Sequence, residues 1–214
     1  IYFSDIPNER IHVYDPKTDK ISIFRENSGR ANGLMFAPSG ALFACEGGAR
    51  KLTRQFDGNL TVLADTWDGK KLNSPNDIVV GPDGAIWFTD PTFGRMEYYG
   101  VPRAQELDFQ GVYRIGPDGV LSCVAADFGQ PNGLCFSLDK RRLFVNDTAK
   151  AHIRVFDIGA DGGLSGGDVW ASPKGEGPGV PDGMKLDAAG RVYCTGAGGV
   201  WVFEPDGTHV GTIR

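Results

Sequence analysis

NDIVVGPDG, residues 76–84, is the unit from which the rest of the chain can be read. A polar pair, Asn76-Asp77, opens an apolar run, and the run turns back at Gly84, 8 residues on. The same arrangement recurs as NGLMFAPSG (32–40), NGLCFSLDK (132–140) and DGMKLDAAG (182–190). The offset from opening residue to turn is 8 in all four, while the units start 44, 56 and 50 residues apart. A constant internal offset with variable spacing marks a repeat architecture with loop insertions. It also sets Asn32, Asn76, Asn132 and Asp182 at one phase of the repeat. If the repeats form a ring, those four side chains meet at one point.

A second apolar run follows each turn: ALFACE (41–46), AIWFTD (85–90), RLFVND (142–147) and RVYCTG (191–196). IYFSD (1–5) matches this second run, with Phe3-Ser4-Asp5 over Phe88-Thr89-Asp90. A hairpin then closes each unit, with turn signals such as Asp57-Gly58, Asp118-Gly119, Asp161-Gly162-Gly163 and Asp206-Gly207. Helical periodicity is not sustained anywhere, and residues 96–108 read as a loop insertion that accounts for the longest spacing. Four antiparallel strands per unit of about 45–50 residues is the pattern of a propeller blade. The first two strands of a unit are nearly continuous apolar runs, as burial on both faces requires. The expected fold is therefore all-β, a six-bladed β-propeller of which the chain covers about four and three-quarter blades. Residues 1–214 are read as one propeller domain, partial, with the first inner strand and the last blade outside it.

Composition narrows the function. Of 214 residues, 41% are hydrophobic and 23% charged, with a net charge of −5 and no Lys/Arg run, which argues against a nucleic-acid partner. No apolar stretch approaches the roughly 18 residues of a membrane helix, so a soluble protein is expected; whether its compartment is cytoplasmic or periplasmic is not readable from these residues. Cys45, Cys123, Cys135 and Cys194 have no C-x-x-C spacing, and the reading is of core thiols. Nothing in the sequence sets the oligomeric state.

The four residues at the common phase carry the candidate chemistry. In a propeller the innermost strand starts near the axis on one face, so Asn32, Asn76, Asn132 and Asp182 should ring the channel. Fourteen residues on, Glu46, Asp90, Asn146 and Gly196 should form a second ring at the returning end of the next strand. Amide and carboxylate oxygens without His or Cys suit a hard divalent cation. Calcium ranks first, with magnesium, manganese or zinc as alternatives. Asp182, the only ionisable member of the first ring, is the candidate base or nucleophile. Asn-Gly and Asp-Gly are also common turn dipeptides, and phase separates the two uses. At the turn phase stand Ser39, Asp83, Asp139 and Ala189; at the opening phase every residue is Asn or Asp, three of them after Pro75, Pro131 or Pro181.

At these residues the chain resembles the family of senescence marker protein-30, gluconolactonase and luciferin-regenerating enzyme. The matching motifs are S-P-N-D (74–77), W-F-T-D-P-T-F-G (87–94), R-x-N-G-L (30–34), P-N-G-L (131–134) and P-D-G-M (181–184). The resemblance implies a six-bladed propeller with one catalytic divalent cation in the central channel. It implies that Asn132 and Asp182 ligate the metal, that Asp182 is the general acid/base, and that Asn76 ligates the metal or contacts substrate. Asn32 and Asp90 are assigned to substrate. The family's remaining ligand, a Glu, would lie about ten residues before Ile1. Ser74 stands where mammalian members carry a substrate-binding Arg, so the S-P-N-D form looks more like bacterial members. The implied activity is hydrolysis of a small-molecule sugar lactone. The alternatives are organophosphate hydrolysis at the same site and a non-catalytic propeller that binds a sugar acid or a partner.

Overall fold

The computed structural model describes residues 1–214. Nineteen of its strands fall into five antiparallel sheets, each running in simple sequence order. Blade 1 has three strands, β1 (Tyr2–Asp5), β2 (Arg10–Asp15) and β3 (Lys20–Arg25). Blade 2 is β4 (Ala31–Phe36), β5 (Leu42–Glu46), β6 (Lys51–Phe56) and β7 (Asn59–Ala64). A short hairpin, β8 (Thr66–Trp67) and β9 (Lys70–Lys71), leads into blade 3, which is β10 (Ile78–Val80), β11 (Ile86–Asp90), β12 (Gln110–Ile115) and β13 (Leu121–Phe128). Blade 4 is β14 (Pro131–Phe136), β15 (Arg142–Asp147), β16 (His152–Ile158) and β17 (Leu164–Ala171). Blade 5 is β18 (Met184–Leu186), β19 (Val192–Gly196), β20 (Gly199–Phe203) and β21 (His209–Ile213). The only helix is one 3₁₀ turn, Phe93–Arg95, and no helix is long and apolar enough to cross a membrane. The all-β propeller expected from the repeats is what the chain forms. These residues form four complete four-stranded blades and one three-stranded blade.

The cores lie between blades rather than within one sandwich. Four hydrophobic clusters each join two consecutive blades. Between blades 3 and 4, for example, Val79, Trp87 and Val112 pack against Leu134, Phe136, Leu143 and Val145. This explains the burial of the second strands: every residue of β5 and β11 is buried, whereas the outermost strands β3 and β7 are largely exposed. Cys45, Cys135 and Cys194 sit in these cores and Cys123 is half-buried; all four thiols are free. Burial pushes the thiols of Cys135 and Cys194 up to about 12, which keeps them protonated and inert.

The inner strands begin irregularly, and that irregularity positions the site. In β4 the register shifts between Ala31 and Leu34, and in β14 between Pro131 and Leu134. Asn32 and Asn132 therefore sit in bulges, where a side chain can be aimed out of the ladder. Asn76 and Asp182 lie two residues before the first strand residues Ile78 and Met184. Neighbouring blades approach so closely here that a Cβ on Gly33 would stand 2.5 Å from the Asn76 carbonyl oxygen. The glycine lets its own N–H donate to that oxygen at 2.7 Å.

Candidate functional site

Asn32, Asn76, Asn132 and Asp182 line one cavity of about 320 Å³ at one face of the propeller. The structure brings together all four residues of the common phase. Asp182 is the only carboxylate in the wall and Arg30 the only cation. Ser74, Pro75, Thr148 and Val180 contribute to the same wall.

The backbone of each opening residue is held from the preceding blade, which leaves its side chain free. Ser4 Oγ donates to the Asn32 carbonyl at 2.7 Å, Thr89 Oγ1 to Asn132 at 2.8 Å, and Asn146 Nδ2 to Asp182 at 2.6 Å. The donors occupy one place in the repeat, the next-to-last residue of the second strand. In blade 2 that place holds Cys45, and the Asn76 carbonyl is taken by Gly33 N–H instead. Asp182 is fixed at its other end as well, its N–H donating to Thr195 Oγ1 at 2.8 Å.

The orientation of the Asn132 amide follows from a relay. Thr148 Oγ1 donates its single proton to the Pro181 carbonyl at 2.6 Å. It can then only accept from Asn132, and Asn132 Nδ2 donates to it at 3.1 Å. Asn132 Oδ1 is left for the cavity. The Asn76 side chain has no hydrogen-bond partner in the protein, so its amide also serves the cavity. The donors on offer are then amide oxygens and one carboxylate, a set suited to a hard divalent cation. No group of three His, Cys, Asp or Glu exists to form a softer or purely anionic site.

Asp182 is open on its cavity side, while the blades behind it thin out the surrounding water. That desolvation raises its carboxyl pKa above the ordinary value, and the neighbouring Asn132 amide opposes the rise. Asp77 lies beneath, accepting the N–H groups of Ile78 at 2.9 Å and Leu134 at 3.3 Å. Burial raises its pKa too, with Lys185 opposing.

The expected second ring does not reach the cavity. Asp90 is fully buried and accepts the backbone N–H groups of Asn73 and Ser74, both at 2.7 Å. Its carboxylate clamps the segment leading to Asn76, so a direct contact from Asp90 to a substrate has no geometric basis. Glu46 is likewise buried, in a cluster with Arg25 and Thr53, each at 2.7 Å. In blade 4 the turn Asp139–Arg142 carries one extra residue, so Asp147, not Asn146, corresponds to Asp90. Asp147 accepts the N–H groups of Gly129 at 2.7 Å and Gln130 at 2.9 Å, the same clamp before Asn132. Asp90 and Asp147 hold loops because a carboxylate at a strand end can accept two backbone donors at once.

Ser74 is also structural. Its hydroxyl donates to the Pro91 carbonyl at 2.5 Å and accepts Gly94 N–H at 3.0 Å, leaving it no role as a nucleophile. The loop after β11 rises over the same face, and Phe93, Gly94, Met96 and Tyr99 line the cavity. The loop is braced by Arg95, whose Nε and Nη2 donate to the Arg103 carbonyl, and by Arg103 Nη2 donating to the Gly47 carbonyl at 3.0 Å. Sequence reasoning met Arg30 only as part of the R-x-N-G-L motif, with no role assigned, and missed Thr148. Both flank the repeat phase, Arg30 two residues before Asn32 and Thr148 just after the clamp acid Asp147, which was the available signal.

The family model for the SMP-30/gluconolactonase/LRE-like region matches residues 1–214. This chain belongs to that family. It is 31% identical to the gluconolactonase of Zymomonas mobilis subsp. mobilis, over all of this chain and 65% of that protein. It is 27% identical to the pentonolactonase XacC of Haloferax volcanii, over 99% of this chain and 68% of that protein. The solved structure of a gluconolactonase from Xanthomonas campestris superposes with a TM-score of 0.91 at 36% identity, covering 100% of this chain and 71% of the other. The chain thus spans 65–71% of the length of these relatives.

Proposed function

We propose that this chain is the larger part of a divalent-metal-dependent hydrolase that opens sugar lactones. The observation that carries the reading is the convergence of Asn76, Asn132 and Asp182 on one cavity in which Asp182 is the sole carboxylate. The likeness to a gluconolactonase and a pentonolactonase supports the substrate class. The same reading makes residues 1–214 part of a single six-bladed propeller domain, with the first inner strand and the last blade outside this stretch.

Asn76, Asn132 and Asp182 would hold the metal through oxygen atoms. When bound, such an ion acts as a Lewis acid on a carbonyl oxygen. Asp182 takes a proton from the attacking water as its oxygen adds to the lactone carbonyl carbon. The ring C–O bond then breaks, the proton passes to the departing ring oxygen, and the open hydroxy acid results. In the metal-free protein desolvation raises the Asp182 carboxyl pKa, and a bound cation would draw it down again. Asn32 contributes a polar wall for substrate hydroxyls, and Phe93, Met96 and Tyr99 give the loop an apolar side toward the cavity.

The test is lactone hydrolysis by the full-length protein in a pH-stat, before and after chelation. The reading predicts that chelator abolishes turnover of glucono-1,5-lactone and that added Ca²⁺, Mn²⁺ or Zn²⁺ restores it. Turnover that ignores the chelator, or no turnover of any aldonolactone with metal present, would overturn it.

A further inference from the structure

We propose that Arg30 is the specificity residue of this site: its guanidinium takes the vicinal hydroxyl oxygens of the aldonolactone and the corresponding oxygens of the aldonate product. This rests on the lactonase reading above and adds the group that distinguishes a sugar lactone from a bare one.

Arg30 is the single cationic side chain in the cavity wall, and it enters from blade 2, whereas Asp182 enters from blade 5. Its backbone is held at φ +56°, a left-handed conformation it shares with Arg50 and other turn residues of the chain. The side chain runs over Gly48. A Cβ on Gly48 would stand 2.8 Å from Arg30 Cβ and 2.9 Å from its Cδ, so only glycine leaves that path clear.

The head group is underused. A guanidinium carries five N–H donors. Nη1 donates to the Tyr98 carbonyl at 3.2 Å, and Nε lies 3.5 Å from Glu9 Oε1 but is buried without a hydrogen bond. Nη2 has no protein partner among the hydrogen bonds. Two of the arginines that brace this face, Arg50 and Arg95, use all three nitrogens by contrast. Arg50 donates to Leu72 and Lys71 carbonyls and to Glu106, at 2.6, 3.0 and 2.7 Å. Arg95 spends Nε, Nη1 and Nη2 on Arg103 and Gln105. A buried or half-buried donor left unmet in a native fold calls for a partner. Arg30 faces an open cavity, and a planar fork of donors matches two adjacent oxygens. The Tyr98 contact ties the loop to the same guanidinium, so the loop and the sugar share one anchor.

The test compares the parent with Arg30→Gln and Arg30→Lys in the full-length protein. Substrates are glucono-1,5-lactone and δ-valerolactone, which has the same ring without hydroxyls. Calorimetry measures binding of gluconate and of Mn²⁺. Arg30→Gln should raise KM for gluconolactone by on the order of tenfold to a hundredfold, the loss expected for charge-assisted hydrogen bonds, with kcat within about threefold. It should weaken gluconate binding to a similar degree and leave δ-valerolactone kinetics and Mn²⁺ affinity unaltered. Arg30→Lys should recover part of the loss. An equal effect on both lactones, or a change in Mn²⁺ affinity, would make Arg30 a structural residue and overturn the proposal. Unchanged gluconolactone KM and gluconate affinity would overturn it as well. If the parent turns over no lactone, the lactonase reading fails, and the gluconate arm still judges Arg30: equal affinity in parent and variant, or no binding by either, rejects it.

Discussion

Replacing Asp182 by Asn separates chemistry from architecture. The substitution keeps the side-chain shape and one oxygen but removes the charge and the basicity. The two hydrogen bonds that fix this residue use its backbone, at 2.8 Å to Thr195 Oγ1 and 2.6 Å from Asn146 Nδ2, so both survive. The carboxyl pKa is raised, meaning that the metal-free fold disfavours the charge, so removing that charge is not expected to unfold the protein. Loss of a general base lowers turnover by about 10²–10⁴, equivalent to about 3–5 kcal/mol of transition-state stabilisation. Asp83→Asn is the matched control. The Asp83 carboxylate accepts Ala85 N–H at 3.0 Å and pairs with Arg114 at 2.8 Å, at an exposed turn outside the cavity. It should lose about 0–1 kcal/mol of stability and no activity. The assay is pH-stat hydrolysis of gluconolactone by full-length protein with saturating Mn²⁺, alongside thermal melts. Equal and mild effects of the two substitutions would refute the reasoning, because the Asn and Asp residues that open the inner strands would then be turn formers only.

Three further outcomes are expected. Thr148→Val removes the acceptor for Asn132 Nδ2 and frees that amide to rotate, so Mn²⁺ affinity measured by calorimetry should fall while saturating metal restores most turnover. Thr89→Val strips a fully buried hydroxyl that donates to the Asn132 carbonyl at 2.8 Å and accepts Asp77 N–H at 3.1 Å. Two buried backbone groups lose a partner, and urea unfolding should show a loss of about 1–3 kcal/mol. Burial pushes the carboxyl pKa of Asp90 up from 3.8 to about 7. The fold therefore holds this proton more tightly than the unfolded chain does, and the contribution of Asp90 to stability falls as pH rises through that window, then levels off above it. Asp90→Asn cannot titrate, so the gap between the melting temperatures of parent and variant should change between those pH values and be flat at higher pH.

Much of the fold was legible because a blade has a fixed internal length. The constant distance from Asn32, Asn76, Asn132 and Asp182 to their turns located the inner strands, and the apolar runs after each turn located the buried second strands. The same phase located the cavity wall. Counting by phase failed where a turn gained a residue: the extra position in Asp139–Arg142 moved Asp147 into the place expected of Asn146. It also misjudged Asp90 and Glu46, whose residue type fits a ligand but whose partners, Asn73 and Ser74 in one case and Arg25 and Thr53 in the other, come from distant sequence. The hairpin β8–β9 was too short to show a strand pattern, although Asp68-Gly69 at its tip is a turn signal and both residues have positive φ. Arg30 stood in the R-x-N-G-L motif and Thr148 beside the clamp acid, but neither shows a role until the residues across the cavity are in place.

The central claim is that one divalent cation is held by residues from three blades. The most direct measurement is anomalous scattering from crystals of the full-length protein grown with Mn²⁺. The account predicts one strong peak in the cavity, within about 2.0–2.6 Å of Asn132 Oδ1 and an Asp182 carboxylate oxygen, with Asn76 in the same coordination sphere. A peak elsewhere on the propeller, or none in the cavity at saturating metal, would contradict it.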